Sequence, residues 1–255
     1  MDFSDKFFGY FKQPDGQYLP YTDNNAGGAF VDPKHFAWLI LAPVIAVGSY
    51  RFFRANPQKA RRTVIVLSLV LITLRISFQI MKVTYGDESP FLQVLPFHQC
   101  GVMGIVLPLV VLFNLNKLKA PVYVISMMGG FATVAFGEYF TSNFVSFYTI
   151  EGMISHTLLI MIPLIEIASG KFSLQIKESW KVLVAMLILI AWASFANEVL
   201  FKKYQSNYMY LKESGFPNDF GGDYYFGIYV IIFFLVFAAI YLPPIIYRSK
   251  KSKVN

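Results

Sequence analysis

The chain has 255 residues, of which 56% are hydrophobic, 18% aromatic and only 15% charged. Soluble domains carry about 25% charged residues, so a water-soluble globular protein is excluded and an integral membrane protein is the expected class. Its net charge is +7, and a single cysteine excludes an internal disulfide and a multi-cysteine metal site.

The first 34 residues read as carrying no signal peptide, because "MDFSDKFFGYFKQ" lacks a continuous apolar core and a small-residue cleavage site. Phe3, Phe7 and Phe11 recur at spacings of four, which predicts a short amphipathic helix on the outer bilayer surface. A lid packed over the outer helix ends is the alternative. Seven apolar runs follow, at residues 36–53, 64–83, 97–115, 120–137, 153–168, 182–201 and 224–247. Each is near the roughly 20 residues that cross a bilayer as a helix. The fifth is short and is expected to extend upstream through "NFVSFYTI". No repeat, low-complexity segment or long linker divides the chain. The expectation is an extracytoplasmic segment over 1–34, an all-α polytopic membrane bundle of about seven transmembrane helices over 35–248, and a basic cytoplasmic tail over 249–255.

Arg51, Arg54, Lys59, Arg61 and Arg62 follow the first run. Alternate connections add Lys117 and Lys119, then Lys171, Lys177 and Lys181, then Arg248, Lys250, Lys251 and Lys253. That side collects fourteen basic residues against seven on the other. The positive-inside rule makes the richer side cytoplasmic and the N-terminus external, in the cell membrane. The positive charge then reflects topology, and nucleic acid is not an expected partner.

This topology assigns depths to the polar residues within the runs. Arg75 lies 13 residues beyond Arg62, roughly 20 Å from the cytoplasmic end at about 1.5 Å per residue. Gln79 and Lys82 follow it on the same face. His98 and Cys100 occupy the outermost turn of the third run, and Ser155 and His156 the outer end of the fifth. Ser194, Asn197 and Glu198 close the sixth on one face. Four helices thus bring polar residues to the outer half of the membrane. A charge at the bilayer centre costs about 2.5–3.5 kcal/mol on insertion scales, so such residues face a bundle interior or a wet cavity. Arg75 is assigned to a functional cavity, with internal pairing to Glu198 or Glu138 as the alternative. Lys82 is assigned to snorkelling, and His35 to the interface.

Pro96 suits the first turn of a helix. Cys100 then falls near unpaired amides and the positive dipole end, which favours thiolate. A nucleophilic thiol also needs a base. His98 is two residues away and does not face it, whereas His156 lies at matching depth on another helix. His98 is left to bind a phosphate or polarise a carbonyl. A free cysteine is also a common small buried hydrophobe, and either histidine can serve a structural hydrogen bond. No HxxxH or CxxC spacing supports a metal site, and no cofactor is expected.

"LPFHQC", "SHTLLI" and "NEVLFKKYQSNYMYL", in that order between residues 95 and 211, resemble motifs of the YwaF family of bacterial integral membrane proteins. The eukaryotic transmembrane protein 164 family shares them. The resemblance implies seven or so spans and, through the eukaryotic branch, acyl transfer between phospholipids by a cysteine and a histidine. It carries the cysteine to Cys100, the histidines to His98 and His156, and the asparagines and tyrosines to Asn197, Asn207, Tyr208 and Tyr210.

The expected function is a membrane-embedded acyltransferase at the outer leaflet. Cys100 attacks a phospholipid ester, His156 takes its proton, and the thioester passes its acyl group to a second lipid, a lipoprotein amine or water. Arg75 and His98 hold phosphate or stabilise the oxyanion. Gln79, Asn197, Glu198, Asn207, Tyr208 and Tyr210 complete the expected substrate-binding set. Two other readings stay open. One is a non-catalytic transporter or lipid-binding protein whose Arg75 and Glu198 hold an anionic solute. The other is a hydrolase using Ser155 or Thr157 with His156. The expected partners are the bilayer and a phospholipid or lipoprotein substrate, with the oligomeric state undetermined.

Overall fold

Asp32 opens the first long helix by accepting the Lys34 amide at 2.7 Å, and Pro33 supplies a first residue that needs no partner for its nitrogen. The computed structural model describes residues 7–8, 10–12, 18–20, 32–85, 95–137, 145–202, 206–213 and 222–252. Among them seven long helices run in chain order: α1 (Pro33–Ala55), α2 (Pro57–Tyr85), α3 (Gln99–Leu112), α4 (Asn116–Phe136), α5 (Phe147–Ala168), α6 (Ser179–Phe195) and α7 (Tyr225–Ser252). Ser146 caps α5 by accepting the Thr149 amide, so the fifth helix begins within "NFVSFYTI". Asn114, at φ +52°, makes the tight turn from α3 to α4.

Six of the helical segments are long and apolar enough to cross a bilayer. The third differs from expectation. Its helix has only 14 residues, or about 21 Å of rise against a hydrocarbon thickness of about 30 Å. The chain from Leu95 to His98 reaches it in non-helical form, with Phe97 buried against Trp192 and Phe201. The protein is a multi-pass membrane bundle, with six candidate spans and one shorter apolar helix among the described residues.

Four helices form its centre: α5 packs on α4 and α2, and α3 packs on both α2 and α4. Most of the apolar stretch of α4 and of α5 is buried (67% and 72%), whereas α1 and α7 lie at the periphery with 11% of theirs buried. Side chains such as Ile40, Val44, Ile231 and Leu235 are largely exposed, and that is the surface the acyl chains of a bilayer cover.

Phe7 and Phe8 are helical, but Phe11 does not continue the predicted helix face. Phe11 lies in strand β1 (Tyr10–Lys12), which pairs antiparallel with β2 (Tyr18–Pro20) in the register Phe11 to Leu19. Phe7 and Phe8 meet Phe147 at the start of α5, with ring centroids 6.4 and 5.9 Å apart. Phe3, Glu138 and the tail beyond 252 lie outside the described residues.

Candidate functional site

The site sits at the end of the bundle where α3 and α5 begin. Arg75 of α2 is buried and donates from Nη1 to Glu151 Oε1 of α5 at 2.6 Å. Its stem lies along α3 at Gly104, where an added Cβ would come within 2.8 Å of the Arg75 Cγ. Only glycine leaves room for that approach. The guanidinium continues to the first turn of α3, since a Cβ on Gly101 would sit 3.8 Å from Nη2. Arg75 therefore places positive charge beside the residue that follows Cys100. Its carboxylate partner is neither Glu198 nor Glu138: it is Glu151, one turn inside α5.

Glu151 also accepts from the Ser155 hydroxyl at 2.6 Å through the same Oε1. Its other oxygen, Oε2, is buried with no hydrogen-bond partner among the described residues. Ser155 is thus committed to the carboxylate, and Thr157 donates to the Met153 carbonyl. Neither hydroxyl is directed at His156 by these bonds.

His156, 2% exposed, has Nδ1 2.7 Å from the Gly152 carbonyl. A carbonyl only accepts, so Nδ1 carries the proton and donates, which makes Nε2 the basic nitrogen. The imidazole lines a small cavity with Trp38, Thr133, Val134, Gly137, Gly152 and Met153. Its volume is about 10 Å³, about the room needed for one water. Trp38 Nε1 is buried without a hydrogen-bond partner among the described residues.

Cys100 is the second residue of α3 and points at α4. Its Sγ is 3.9 Å from Thr133 Oγ1, and a Cβ on Gly129 would come within 2.8 Å of the sulfur. Thr133 is therefore the link between the two residues paired on sequence grounds: it contacts the thiol and shares the cavity with His156. The neighbouring Gln99 amide donates to the Ile125 carbonyl of α4, fixing the first turn of α3 against α4.

The remaining predicted residues build a cap over this end. The last turn of α6 widens into a π-helical segment, Ala196–Leu200. It turns Asn197 inward, at 1% exposure, to clamp both backbone groups of Tyr208. The Asn197 amide donates to the Tyr208 carbonyl at 3.0 Å, and the Tyr208 N–H donates to Asn197 Oδ1 at 2.8 Å. Asn207 accepts the Lys212 N–H and donates to the Glu213 carbonyl, closing the next turn. Tyr208 packs on Phe97 and Phe201, and burial pushes its phenol up to about 12. Tyr210 stacks on Tyr229.

His98 belongs to this cap rather than to the thiol. Its Nδ1 accepts the Met209 N–H at 3.3 Å, and its ring meets Tyr208 and Tyr210 at 5.3 and 5.6 Å. Glu198 points outward, with its side chain 56% exposed and bonded to Lys212 at 3.0 Å. The Arg75 and Glu198 pair required for a solute site is not assembled. Gln79 stays on the Arg75 face with Oε1 buried and unbonded among the described residues, and Lys82 lies over the Phe78 ring at 4.5 Å.

Sequence reasoning missed Glu151, Thr133 and Trp38. It also placed His35 at the interface, whereas His35 is fully buried and donates from Nε2 to the Val134 carbonyl of α4 at 3.0 Å. That contact docks α1 on α4 and sets Trp38, one turn later, at the cavity wall. Gly129 and Thr133 share an i,i+4 spacing, and small residues at such spacing signal a close helix approach. Among the described residues no group of three or more His, Cys, Asp or Glu is placed to hold a metal ion.

The TMEM164 family model matches residues 30–241. No curated protein and no solved structure matches the chain.

Proposed function

The chain belongs to the TMEM164 family, and from that premise we propose that it is a membrane-embedded acyltransferase that moves an acyl chain between a phospholipid and a lipid or lipoprotein acceptor through Cys100 and His156. The observation that carries this reading is the position of Thr133, in contact with the thiol and on the wall of the His156 cavity. The excess of basic residues at the other end assigns this one to the outer leaflet.

In the first half-reaction the Cys100 proton passes by way of the Thr133 hydroxyl to His156 Nε2. The thiolate attacks the ester carbonyl, the C–S bond forms, and the C–O bond breaks. His156 returns the proton to the departing lysophospholipid oxygen. In the second half an acceptor hydroxyl or amine gives its proton to His156 and attacks the thioester, the C–S bond breaks, and His156 returns the proton to regenerate the thiol. The first turn of α3 and the Arg75 guanidinium stabilise the thiolate and the developing oxyanion. Arg75 and Glu151 also position α5, because the Gly152 carbonyl that fixes the His156 tautomer follows Glu151 directly.

The cavity admits about one water, so a lipid carbonyl requires an opening. Its wall includes Trp38 of the peripheral α1, which makes the α1 side the route from the bilayer. His98, Asn197, Asn207, Tyr208 and Tyr210 act on the headgroup side through the cap. Incubation of the purified protein with phospholipid alone tests the reading by intact mass. The expected result is a gain of one acyl chain on Cys100, released by neutral hydroxylamine, absent in Cys100→Ala and slowed in His156→Ala. Full lipid turnover by a folded Cys100→Ala variant would sink it.

A further inference from the structure

At the opposite end of the bundle, the last turns of α1 and the Leu164 region of α5 border a groove of about 320 Å³. Ala46, Val47, Tyr50, Arg51 and Arg54 line it from α1, at spacings that share one helix face. The groove is apolar toward the middle of the helix and cationic toward its end. Three other basic residues at this end are engaged: Arg61 donates to the Val111 carbonyl, Lys119 pairs with Glu166, and Lys181 pairs with Glu178. Arg51 and Arg54 are exposed, and neither they nor Tyr50 has a hydrogen-bond or ion-pair partner among the described residues. No acidic side chain lines the groove.

We infer that this groove binds one anionic glycerophospholipid of the adjacent leaflet, its phosphate held by Arg51, Arg54 and the Tyr50 hydroxyl, and an acyl chain lying along Val47, Ala46 and Leu164. Charge complementarity selects the ligand. Two unpaired guanidiniums next to a wall of hydrocarbon match a phosphodiester attached to a chain, and basic pockets between transmembrane helices recognise anionic headgroups in this way. A soluble phosphate would use only the cationic half. The site faces the leaflet opposite to the thiol and is distinct from the acyl-transfer site. Because α1 also carries Trp38 to the cavity wall and docks on α4 through His35, a lipid seated here steadies the helix that closes that cavity.

The test is thermal melting of the full-length protein in detergent with added phosphatidylglycerol, phosphatidylcholine or glycerol 3-phosphate. Phosphatidylglycerol is expected to raise the melting temperature more than phosphatidylcholine, and glycerol 3-phosphate to leave it unchanged. Each arginine replaced, as in Arg51→Gln or Arg54→Gln, should weaken the phosphatidylglycerol effect about fivefold, with the double variant losing it. Val47→Trp keeps both charges and fills the apolar part, and it should lose the effect as well. Lys59→Gln, exposed on α2 outside the groove, should retain it. Equal stabilisation by both lipids, an effect that survives in the double variant or in Val47→Trp, or an equal loss in Lys59→Gln would overturn the assignment. A response to glycerol 3-phosphate matching that to phosphatidylglycerol would do the same.

Discussion

Arg75–Glu151 and Lys119–Glu166 are both buried ion pairs that tie α5 to a neighbouring helix, at 2.6 and 2.7 Å. Their carboxylates are 15 residues apart on α5, about 22 Å along its axis, so each pair serves one end of the bundle. At the Lys119 end two donors also meet on one carboxylate oxygen, and the backbone of the same residue adds further bonds. Glu166 Oε2 takes both the Lys119 ammonium and the Tyr123 hydroxyl, and the backbone carbonyl of Glu166 takes the Lys171 and Phe172 amides and the Ser169 hydroxyl. At the Arg75 end both donors fall on Oε1 and leave Oε2 without a partner among the described residues. The first arrangement is a structural clamp. The second keeps unspent hydrogen-bonding capacity and a guanidinium beside Gly101, the residue after Cys100, and buried capacity of that kind is tolerated where it serves chemistry.

The largest effect comes from breaking either pair on one side only. Glu166→Leu strands Lys119 and should cost about 3–5 kcal/mol, and Arg75→Met should cost a similar amount by stranding Glu151. Detergent melting reads both. Removing both partners together is often nearly neutral, so Lys119→Met/Glu166→Leu and Arg75→Met/Glu151→Leu should each recover most of the stability lost by the single changes. Melting temperatures of the doubles that stay as low as the singles would show that these pairs hold the fold through more than charge balance.

The comparison also marks the boundary of what was legible. Composition and run length identified a polytopic helical membrane protein, because a bilayer imposes its thickness directly on sequence. The third run misled by length: residues 97–115 are apolar enough for a span, but only Gln99–Leu112 is helical, since Phe97 is drawn out of the helix to pack on Trp192 and Phe201. Lys119 counted as a flanking cytoplasmic charge, yet it is 5% exposed and inside the bundle. Depth placed Arg75, Cys100 and His156 near one level, but depth carries no azimuth. It therefore could not distinguish Glu151 from Glu198 as the partner of Arg75, nor separate Cys100, which faces α4, from His98, which faces the cap. The motif asparagines were recognised by resemblance, and their clamping of Tyr208 and of residues 212–213 depends on a loop geometry that no helical periodicity encodes.

A smaller effect sharpens the contrast between site and cap. Asn197→Ala leaves the Tyr208 N–H and carbonyl without their partner and should cost about 1–3 kcal/mol. Because the cap orders His98 and not the thiol, the folded fraction should still acylate Cys100 from phospholipid. A rate on intact protein as low as that of His156→Ala would move Asn197 into the chemical machinery.

Smaller still in stability, and more telling in rate, is Thr133→Val. It removes one hydroxyl of nearly equal volume and should change melting by about 0.5–1.5 kcal/mol. Acyl-adduct formation on Cys100 should slow, and Thr133→Ser, which keeps the hydroxyl, should restore it. Equal adduct rates in Thr133→Val and the unmodified protein would remove Thr133 from the proton path.

The most direct test measures acyl-adduct formation on Cys100 by intact mass in the two charge-free double variants, each first shown by melting to be folded. The account predicts that Lys119→Met/Glu166→Leu forms the adduct at the rate of the unmodified protein, while Arg75→Met/Glu151→Leu, equally well folded, forms little or none. Equal adduct rates in the two doubles would contradict it, because the pair at the Cys100 end of the bundle would then be a clamp like its counterpart at the other end.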